Sequence, residues 1–498
     1  MEKHINDEKN VLTPYLLPAF FIIMAAVLAV WIMNSNGFYF IDDSCHFNYN
    51  RHFFSYYFHE SVSSWSRLGR VWLFALPAQF GLKGVQIFSG LLFLLTIYFA
   101  YKILIIKKVK YAEWVVLIIG FQPVLFNISY SVLAELPAAF LIVLAYYLYK
   151  KDKYIWVMIA SSFIFNFRTE YYYVAGLFFL IFLFKKRWNV LPFILTGPVV
   201  WFLHSWITSG NIMLFFYDLG LHSRLPRISE GIEFIFYFWR SFQIYGLLQV
   251  LFFLTAIIVL LFNRQIKDYI LILLIILGGI GFHTLAALKG LNVSCSVGQL
   301  RYVAVVGPMV GVISCVGISW FFGLLKNKIV KILIGILLIS LMFLSGPFVT
   351  PFHKKLKIEE ISDRIVSIAQ EQYPDYKILT SLHYIANSLD EAKDWSKNSD
   401  YLTKENLDKY SKALILWVKE LEDTPFGVPS VKLKELEADT SKIKLIYQYA
   451  ENVNHNPDLP VYRFYDNAPD NIKWLINYLI MDQYTWEDVN VKLYVKGK

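Results

Sequence analysis

The chain has 498 residues, of which 57% are hydrophobic and 17% are charged, and its formal net charge is +9. Typical soluble domains contain roughly 45–50% apolar and about 25% charged residues, so this composition excludes an ordinary soluble enzyme and a disordered chain. The 3 cysteines are too few for a disulfide framework or a zinc cluster. The composition predicts a polytopic membrane protein.

Eleven apolar segments are candidates for membrane-spanning helices, because a span needs about 20 mostly apolar residues. In chain order they are Tyr15–Met33, Val85–Ile106, Ala112–Ile128, Val132–Tyr149, Tyr154–Phe167, Tyr171–Phe184, Val190–Thr208, Gln243–Phe262, Tyr269–Leu288, Tyr302–Leu325 and Ile329–Phe348. The fifth and sixth are short, which is typical of tilted or partly re-entrant segments. No small-residue cleavage site follows the first, so we expect it to be retained.

Lysine clusters predict the orientation of these spans. They occupy every second loop, at residues 102–110, 150–153, 185–187 and 326–331, with Arg264 and Lys267 in another such loop. The positive-inside rule places these loops in the cytoplasm. The N-terminus is then inside, and the odd number of spans predicts that the C-terminus is outside.

The composition changes at Val349, where the long apolar runs stop. Residues 350–498 contain 20 Lys and Arg against 24 Asp and Glu, a net charge of −4. We therefore predict two domains, an all-α polytopic membrane domain over 1–349 and a small mixed α/β soluble domain over 350–498. Strands are predicted at Tyr376–Leu382, Ala413–Val418, Ile443–Tyr449, Val461–Phe464 and Val489–Val495, with helices at Ile358–Gln372 and Leu433–Ala438. This domain is interpreted as a lid, as a platform for an acceptor or as simple packing.

The charges of the predicted outer loops differ from those of the inner loops, since their cations are mostly arginine. Arginine grips phosphate in bidentate fashion, so the outer face is predicted to bind an anionic, phosphate-bearing ligand. The candidate site residues are Asp42, Asp43, His46, Arg70, Glu135, Arg168, Glu170, Arg224, Arg227 and Arg301.

Each of these residues also has an interpretation without chemistry. Asp42 and Asp43 suit a helix cap, and Arg168 and Glu170 suit a turn in which the two charges pair. Glu135 lies about one turn inside the fourth span, where a lone carboxylate is costly and functional by default unless it pairs with a neighbouring helix. The remaining arginines suit lipid headgroups, with Arg67 and Arg70 on an amphipathic helix over Ser55–Phe74. The predicted topology nevertheless places all of these charges on one side.

In arrangement the sequence resembles the membrane glycosyltransferases of the GT-C superfamily, which use polyprenyl-phosphate sugars. The similar elements are Asp42-Asp43 in the first outer loop, the amphipathic Ser63–Leu82 with Gly81, Glu135-Leu136-Pro137, Phe167-Arg168-Thr169-Glu170, Arg301-Tyr302 with Pro308, and an outer domain after the last span. The mannosyltransferase-like branch looks most similar. The resemblance implies an inverting transferase that moves a hexose or pentose from a polyprenyl-phosphate donor to a glycan, lipid or protein acceptor outside the cytoplasm.

The inventory of residues agrees with that reaction. A polyprenyl-phosphate sugar already carries a good leaving group, so transfer needs one base for the acceptor hydroxyl and cations for the departing phosphate. We expect Asp42 to be the base and Asp43 to orient the following helix. Membrane lipids are expected partners, while no cofactor, divalent metal or nucleic acid is expected. We favour a bacterial inner membrane with a periplasmic site over the endoplasmic reticulum membrane.

Three other classes of function remain open at this point. A polysaccharide polymerase or ligase would also use outer arginines on lipid-linked glycans, but it would not need the Asp42-Asp43 pair. A transporter would place its charges near the bilayer midplane and show paired half-sequences, while a scaffold would be indifferent to every charge named. Separate substitution of Asp42 and Asp43 discriminates among these classes.

Overall fold

The computed structural model describes most of the chain. The described residues are 13–39, 41–58, 65–214, 216, 236–287, 299–392, 396–422, 431–438, 443–452, 469 and 488–497. Arg224 and Arg227 lie outside these ranges, as does the predicted strand Val461–Phe464.

The described residues of 1–349 are mainly helical, and we number the α-helices in chain order. They are α1 Thr13–Asn34, α2 Ile41–Arg51, α3 Leu68–Ala78, α4 Gly81–Ile106, α5 Val115–Gly120, α6 Pro123–Ile128, α7 Glu135–Lys150, α8 Tyr154–Phe163, α9 Tyr173–Phe184, α10 Thr196–Ser209, α11 Phe236–Trp239, α12 Ser241–Tyr245, α13 Leu247–Phe262, α14 Ile270–Ala287, α15 Leu300–Ala304, α16 Gly307–Leu324 and α17 Lys328–Ser345. Short 3-10 turns connect several of them, among them Ile164–Asn166 and Thr169–Tyr171.

Several of these helices are suited to a bilayer. Within the described residues, five are long and apolar enough to cross a membrane: Tyr15–Asn34, Gly81–Ile106, Trp188–Ser209, Gly307–Leu324 and Lys328–Val349. Large apolar side chains are exposed on their outer surfaces; on α17, for example, Ile329, Leu333 and Ile336 are all more than half exposed. Contiguous exposure of this kind is typical of a lipid-facing surface. The protein is a multi-pass membrane protein, as its composition predicted.

Each of the eleven predicted spans coincides with one or more helices, and the third is among those that are divided. It consists of the 3-10 turn Ala112–Trp114 followed by α5 and α6. The break falls at Phe121 and Gln122, and Pro123 begins α6, which is the position where proline fits a helix best. Because this segment is buried along its whole length, its broken backbone is surrounded by protein rather than lipid.

The prediction of one amphipathic helix over Ser55–Phe74 is wrong, because this segment contains parts of two separate helices. A π-helix over Phe53–Tyr57 is followed, after residues outside the description, by a turn at Trp65 and Ser66. Arg67 then adopts φ 62°, and α3 begins at Leu68. A residue with positive φ lies outside the right-handed helical region, so the chain changes direction at Arg67.

The C-terminal part is built on one five-stranded sheet. Its strands are β1 Lys377–Thr380, β2 Ser399–Asp400, β3 Ala413–Val418, β4 Ile443–Asn452 and β5 Asp488–Lys496, in the spatial order β2-β1-β3-β5-β4. The first three strands are parallel, while β5 is antiparallel to β3 and β4. Its helices are α18 Lys357–Gln372, α19 Tyr384–Ser388, α20 Lys404–Lys409, α21 Lys419–Glu422 and α22 Leu433–Ala438. The predicted mixed α/β fold of this part is confirmed.

Both faces of this sheet are covered. Alternate residues of the central strand β3 point to opposite faces, so that Leu414 belongs to one apolar cluster with Ile361 of α18 while Ile415 belongs to another with Leu436 of α22. All six residues of β3 are consequently buried. The short helix α19 follows β1 in the sequence and contacts α2. This contact places the sheet beside the charged residues described below.

Candidate active site

Arg301 links two carboxylates that are remote in sequence. Its Nη2 donates to Oδ2 of Asp42 at 2.8 Å, and its Nε lies 3.2 Å from Oε1 of Glu135. Asp42 is in the first turn of α2, and Glu135 is the first residue of α7. Because a helix N-terminus favours negative charge, both carboxylates occupy positions that suit them electrostatically.

Arg168 extends this arrangement on the far side of Glu135. Its guanidinium pairs with the same Glu135 oxygen, and its Nη1 donates to Oε1 of Glu170 at 2.9 Å. Arg67 completes the series, with Nη2 at 3.8 Å from Oε2 of Glu170 and Nη1 donating to Oγ1 of Thr169 at 3.2 Å. Two short 3-10 turns flank Arg168, and its side chain reaches Glu135 at the start of α7.

The six residues form a series of alternating sign, which we call the charge network: Asp42, Arg301, Glu135, Arg168, Glu170 and Arg67. Three negative and three positive side chains give the network no net charge. Asp42 is the most exposed carboxylate of the three, at 26%, whereas Glu170 is 12% exposed and Glu135 is 2% exposed. The network therefore opens to its surroundings at the Asp42 end.

Asp43 points away from Asp42 and has different partners. Its Oδ2 accepts the backbone N–H of Tyr39 at 2.9 Å, and its Oδ1 accepts that of Val132 at 2.6 Å. Burial raises the pKa of Asp43 from the usual 3.8 to about 6, opposed by these two hydrogen bonds and by Arg301 and Arg70. The side chain thus ties α2 to the residues that precede Glu135.

Two predicted site residues, His46 of α2 and Arg70 of α3, are buried where these helices meet. Arg70 is fully buried and donates to the carbonyl oxygens of Ser66 and His46 and to Oδ1 of Asn50. Burial, reinforced by Arg70, lowers the pKa of His46 well below its usual value, so its ring is neutral, and it packs on Trp65 at 4.5 Å between centroids. In this structure Arg70 joins α3 to α2 rather than entering the charge network.

The structure brings together Asp42, Glu135, Arg168, Glu170 and Arg301 of the predicted set. Arg224 and Arg227 lie outside the described residues, so their predicted role stays a prediction. Among the residues that are described, no three His, Cys, Asp or Glu side chains converge as metal ligands.

An aromatic wall beside the network was not predicted. The guanidinium carbon of Arg168 lies 4.1 Å from the ring centroid of Tyr302, and that ring stacks on His283 at 5.6 Å. His283 lies in α14 and is buried, and its Nε2 has no hydrogen-bond partner within the described ranges. The sequence did contain a signal, because a histidine inside an otherwise apolar span is functional by default.

The likeness of this chain to known proteins lies in its structure, since no protein-family model and no curated protein match it by sequence. The crystal structure of ArnT from Cupriavidus metallidurans in the apo state matches with a TM-score of 0.58 and 10% identity, over 95% of this chain and 98% of that one. The structure of the same protein bound to undecaprenyl phosphate matches with a TM-score of 0.57 and 10% identity, over 95% and 97%. The chain therefore shares its fold with ArnT over most of its length.

Proposed function

We propose that this protein is a membrane glycosyltransferase that moves a hexose or pentose from a polyprenyl-phosphate donor to a hydroxyl of an acceptor outside the cytoplasm. The shared fold with ArnT supports the class of enzyme, and the undecaprenyl phosphate bound in one ArnT structure supports a lipid-linked donor. We place the protein in a bacterial inner membrane with its site on the periplasmic side.

A single observation carries the assignment of the base. Asp42 is the one carboxylate of the charge network with a substantially exposed side chain, and it lies at the open end of the series. A general base must reach the acceptor hydroxyl directly. Glu135 and Glu170 are each held by two arginines, so they are better suited to orient the cations than to accept a proton.

The reaction follows as a single displacement with inversion. The acceptor oxygen attacks the anomeric carbon from the side opposite the phosphate, and Asp42 accepts the hydroxyl proton as the new C–O bond forms. The bond between the anomeric carbon and the phosphate oxygen breaks with its electron pair on the phosphate. No protonation of the leaving group is required, since a phosphate ester leaves as a stable anion, unlike the sugar alkoxide of glycoside hydrolysis.

Arg301 and Arg168 are proposed to hold that phosphate. Both guanidiniums are buried beside Tyr302, where reduced screening strengthens their attraction for an anion. Because the network is neutral, an incoming phosphate introduces an excess negative charge, and Arg301 is expected to exchange part of its contact with Asp42 for the phosphate. That exchange would release Asp42 for proton transfer only when the donor is bound.

The test is turnover of radiolabelled undecaprenyl-phosphate sugars, with mannose, glucose, galactose and arabinose as donors, by purified protein in lipid nanodiscs. The Asp42→Asn variant is expected to lose about 10²–10⁴-fold in rate, the usual effect of removing a positioned base. Its binding of undecaprenyl phosphate should be preserved, because Arg168 and Arg301 remain.

Asp408→Asn, at an exposed position on α20, is the matched control and should keep the full rate. Equal rates for Asp42→Asn and the unmutated protein would refute the assignment of the base. Consumption of a polyprenyl-diphosphate oligosaccharide instead of every monosaccharide donor would identify a ligase or polymerase.

A further inference from the structure

Helix α2, which carries Asp42, lies between two parts of the molecule, and its two buried faces have different partners. Asp43, His46 and Asn50 share one face and contact the membrane part through Val132 and Arg70. Ser44, Asn48 and Arg51 share another face, since they are separated by four and three residues. That second face contacts the C-terminal part.

Asn387 of α19 makes the central contact on this second face. Its Nδ2 donates to the carbonyl oxygen of Ser44 at 3.1 Å and to Oγ of Ser44 at 2.7 Å. Its Oδ1 accepts from Nδ2 of Asn48 at 3.0 Å, and Asn48 also donates to the carbonyl oxygen of Glu391 at 2.8 Å. One amide from the C-terminal part therefore joins two successive turns of the helix that begins beside Asp42.

These hydrogen bonds are closed to solvent on the α2 side. Ser44 is 0% exposed and Asn48 is 2% exposed, so water cannot easily replace a lost partner. The neighbouring contact is weaker, because Arg51 pairs with Oδ1 and Oδ2 of Asp390 at 3.1 and 3.2 Å on a carboxylate that is 64% exposed. Asn387 is accordingly the principal polar tie between α2 and the C-terminal part.

We propose that the C-terminal part sets the position of the catalytic carboxylate through Asn387, which acts as a positioning residue for Asp42. The proposal rests on the transferase function proposed above. Asp42 is only two residues before Ser44, so a rotation or shift of the first turn of α2 moves its carboxylate directly. Displacements of about 1 Å at a reacting group reduce rates by as much as 10²-fold.

The first test compares Asn387→Ala with Asn406→Ala in the full-length protein. Asn406 is a suitable control because its side-chain Nδ2, like that of Asn387, donates to a backbone oxygen. Its acceptor is the carbonyl oxygen of Tyr401 at 2.9 Å, which lies within the C-terminal part and not on α2. Asn387→Ala is expected to lower kcat by roughly 10–100-fold at an unchanged KM for the donor. A kcat equal to that of Asn406→Ala would overturn the proposal.

A double-mutant cycle separates positioning from general loss of structure. If Asn387 acts through Asp42, then Asn387→Ala should cause no further loss of rate in the Asp42→Asn background. Independent losses that multiply in the double variant would overturn the proposal. Full activity of Asp42→Asn would instead refute the proposed base, so the two failures are distinguishable.

Hydrogen exchange gives a readout that does not depend on turnover. The amides of 41–51 should exchange faster in Asn387→Ala than in Asn406→Ala, because α2 loses the tie on one face. Unchanged exchange in this segment would overturn the proposal even if no tested donor supports transfer.

Discussion

At the scale of single residues, the adjacent aspartates show how one step along a helix changes the role of a side chain. Successive helical residues point about 100° apart, so Asp42 faces Arg301 while Asp43 faces backbone N–H groups. Both oxygens of Asp43 accept hydrogen bonds in a place closed to solvent, whereas Asp42 keeps one quarter of its side chain exposed. We therefore expect the two Asp→Asn substitutions to separate stability from chemistry.

Asp43→Asn is predicted to destabilise the fold. An amide offers one acceptor where the carboxylate offers two, so its NH₂ group must face the N–H of either Tyr39 or Val132. Leaving one buried donor unsatisfied costs about 1–3 kcal/mol. Thermal unfolding in detergent should show a lower midpoint for Asp43→Asn, with Asp42→Asn close to the unmutated protein. Equal midpoints for both variants would contradict the structural role of Asp43.

The same residue gives stability a definite dependence on pH. Because burial raises the pKa of Asp43 from 3.8 to about 6, the folded chain binds more protons at this group than the unfolded chain between those values. Its contribution to stability is complete below the lower pKa and falls as the pH rises through about 6. The difference in stability between the unmutated protein and Asp43→Asn should therefore shrink over this range. A difference that grows with pH would show that the folded-state pKa of Asp43 is not raised.

At the scale of elements, the turn between α1 and α2 is joined to the segment that follows α17. Gly37 donates its N–H to the carbonyl oxygen of His353 at 2.7 Å, and His353 donates to Oγ of Ser35 at 2.9 Å. A Cβ added at Gly37 would lie 2.2 Å from the carbonyl oxygen of Lys354, which is backbone and cannot rotate away. Only glycine lets these two chain segments approach so closely.

Gly37→Ala is therefore predicted to separate the two segments. The strain of overpacking is typically about 1–3 kcal/mol, and it would displace the start of α2 and with it Asp42. Gly176→Ala is the control, because a Cβ placed there meets no atom within 4 Å beyond its chain neighbours and the backbone of its own helix. A lower thermal midpoint and a slower rate are expected for Gly37→Ala alone. Matching behaviour of the two variants would show that the turn accommodates a methyl group.

The elements themselves were largely predictable from the sequence, because each is encoded by local patterns. Apolar length located the spans, and short apolar runs located β1, β3, β4 and β5 within a few residues of their ends. The two-residue strand β2 escaped prediction, because Ser399 and Asp400 are polar and form no apolar run. The bend at Arg67 escaped because a positive φ in a non-glycine residue has no local sequence signal.

The pairing of the site residues was harder to predict than their positions. Arg168 and Glu170 are two residues apart, and their contact follows from the turn between α8 and α9. Arg301 and Asp42 are 259 residues apart, and their contact depends on how α2, α7 and α15 pack together. The local sequence therefore offered the pairing of Arg168 with Glu170, but not the contacts of Arg301 with Asp42 and Glu135.

At the scale of the whole molecule, the charges divide between two ends. Helices α7 and α9 both begin beside the charge network; α7 ends at Lys150, and Lys185 directly follows the last residue of α9. The two lysines lie close together, since Nζ of Lys185 donates to the hydroxyl of Tyr149, the residue before Lys150, at 3.1 Å. Lys107, which follows α4, lies near Lys150 and donates to the carbonyl oxygen of Asp268 at 2.8 Å.

This division sharpens the prediction of membrane orientation. Lysine loops are retained in the cytoplasm, so the charge network and the sheet beside it are expected on the opposite side. An alkaline phosphatase reporter fused after Lys498 should be active in a bacterial host, and a green fluorescent reporter at the same place should be dark. The matched control places each reporter after Lys151, in a lysine loop, where the pattern should reverse. A fluorescent fusion at Lys498 would put the network in the cytoplasm, and the acceptor would then have to be a cytoplasmic molecule.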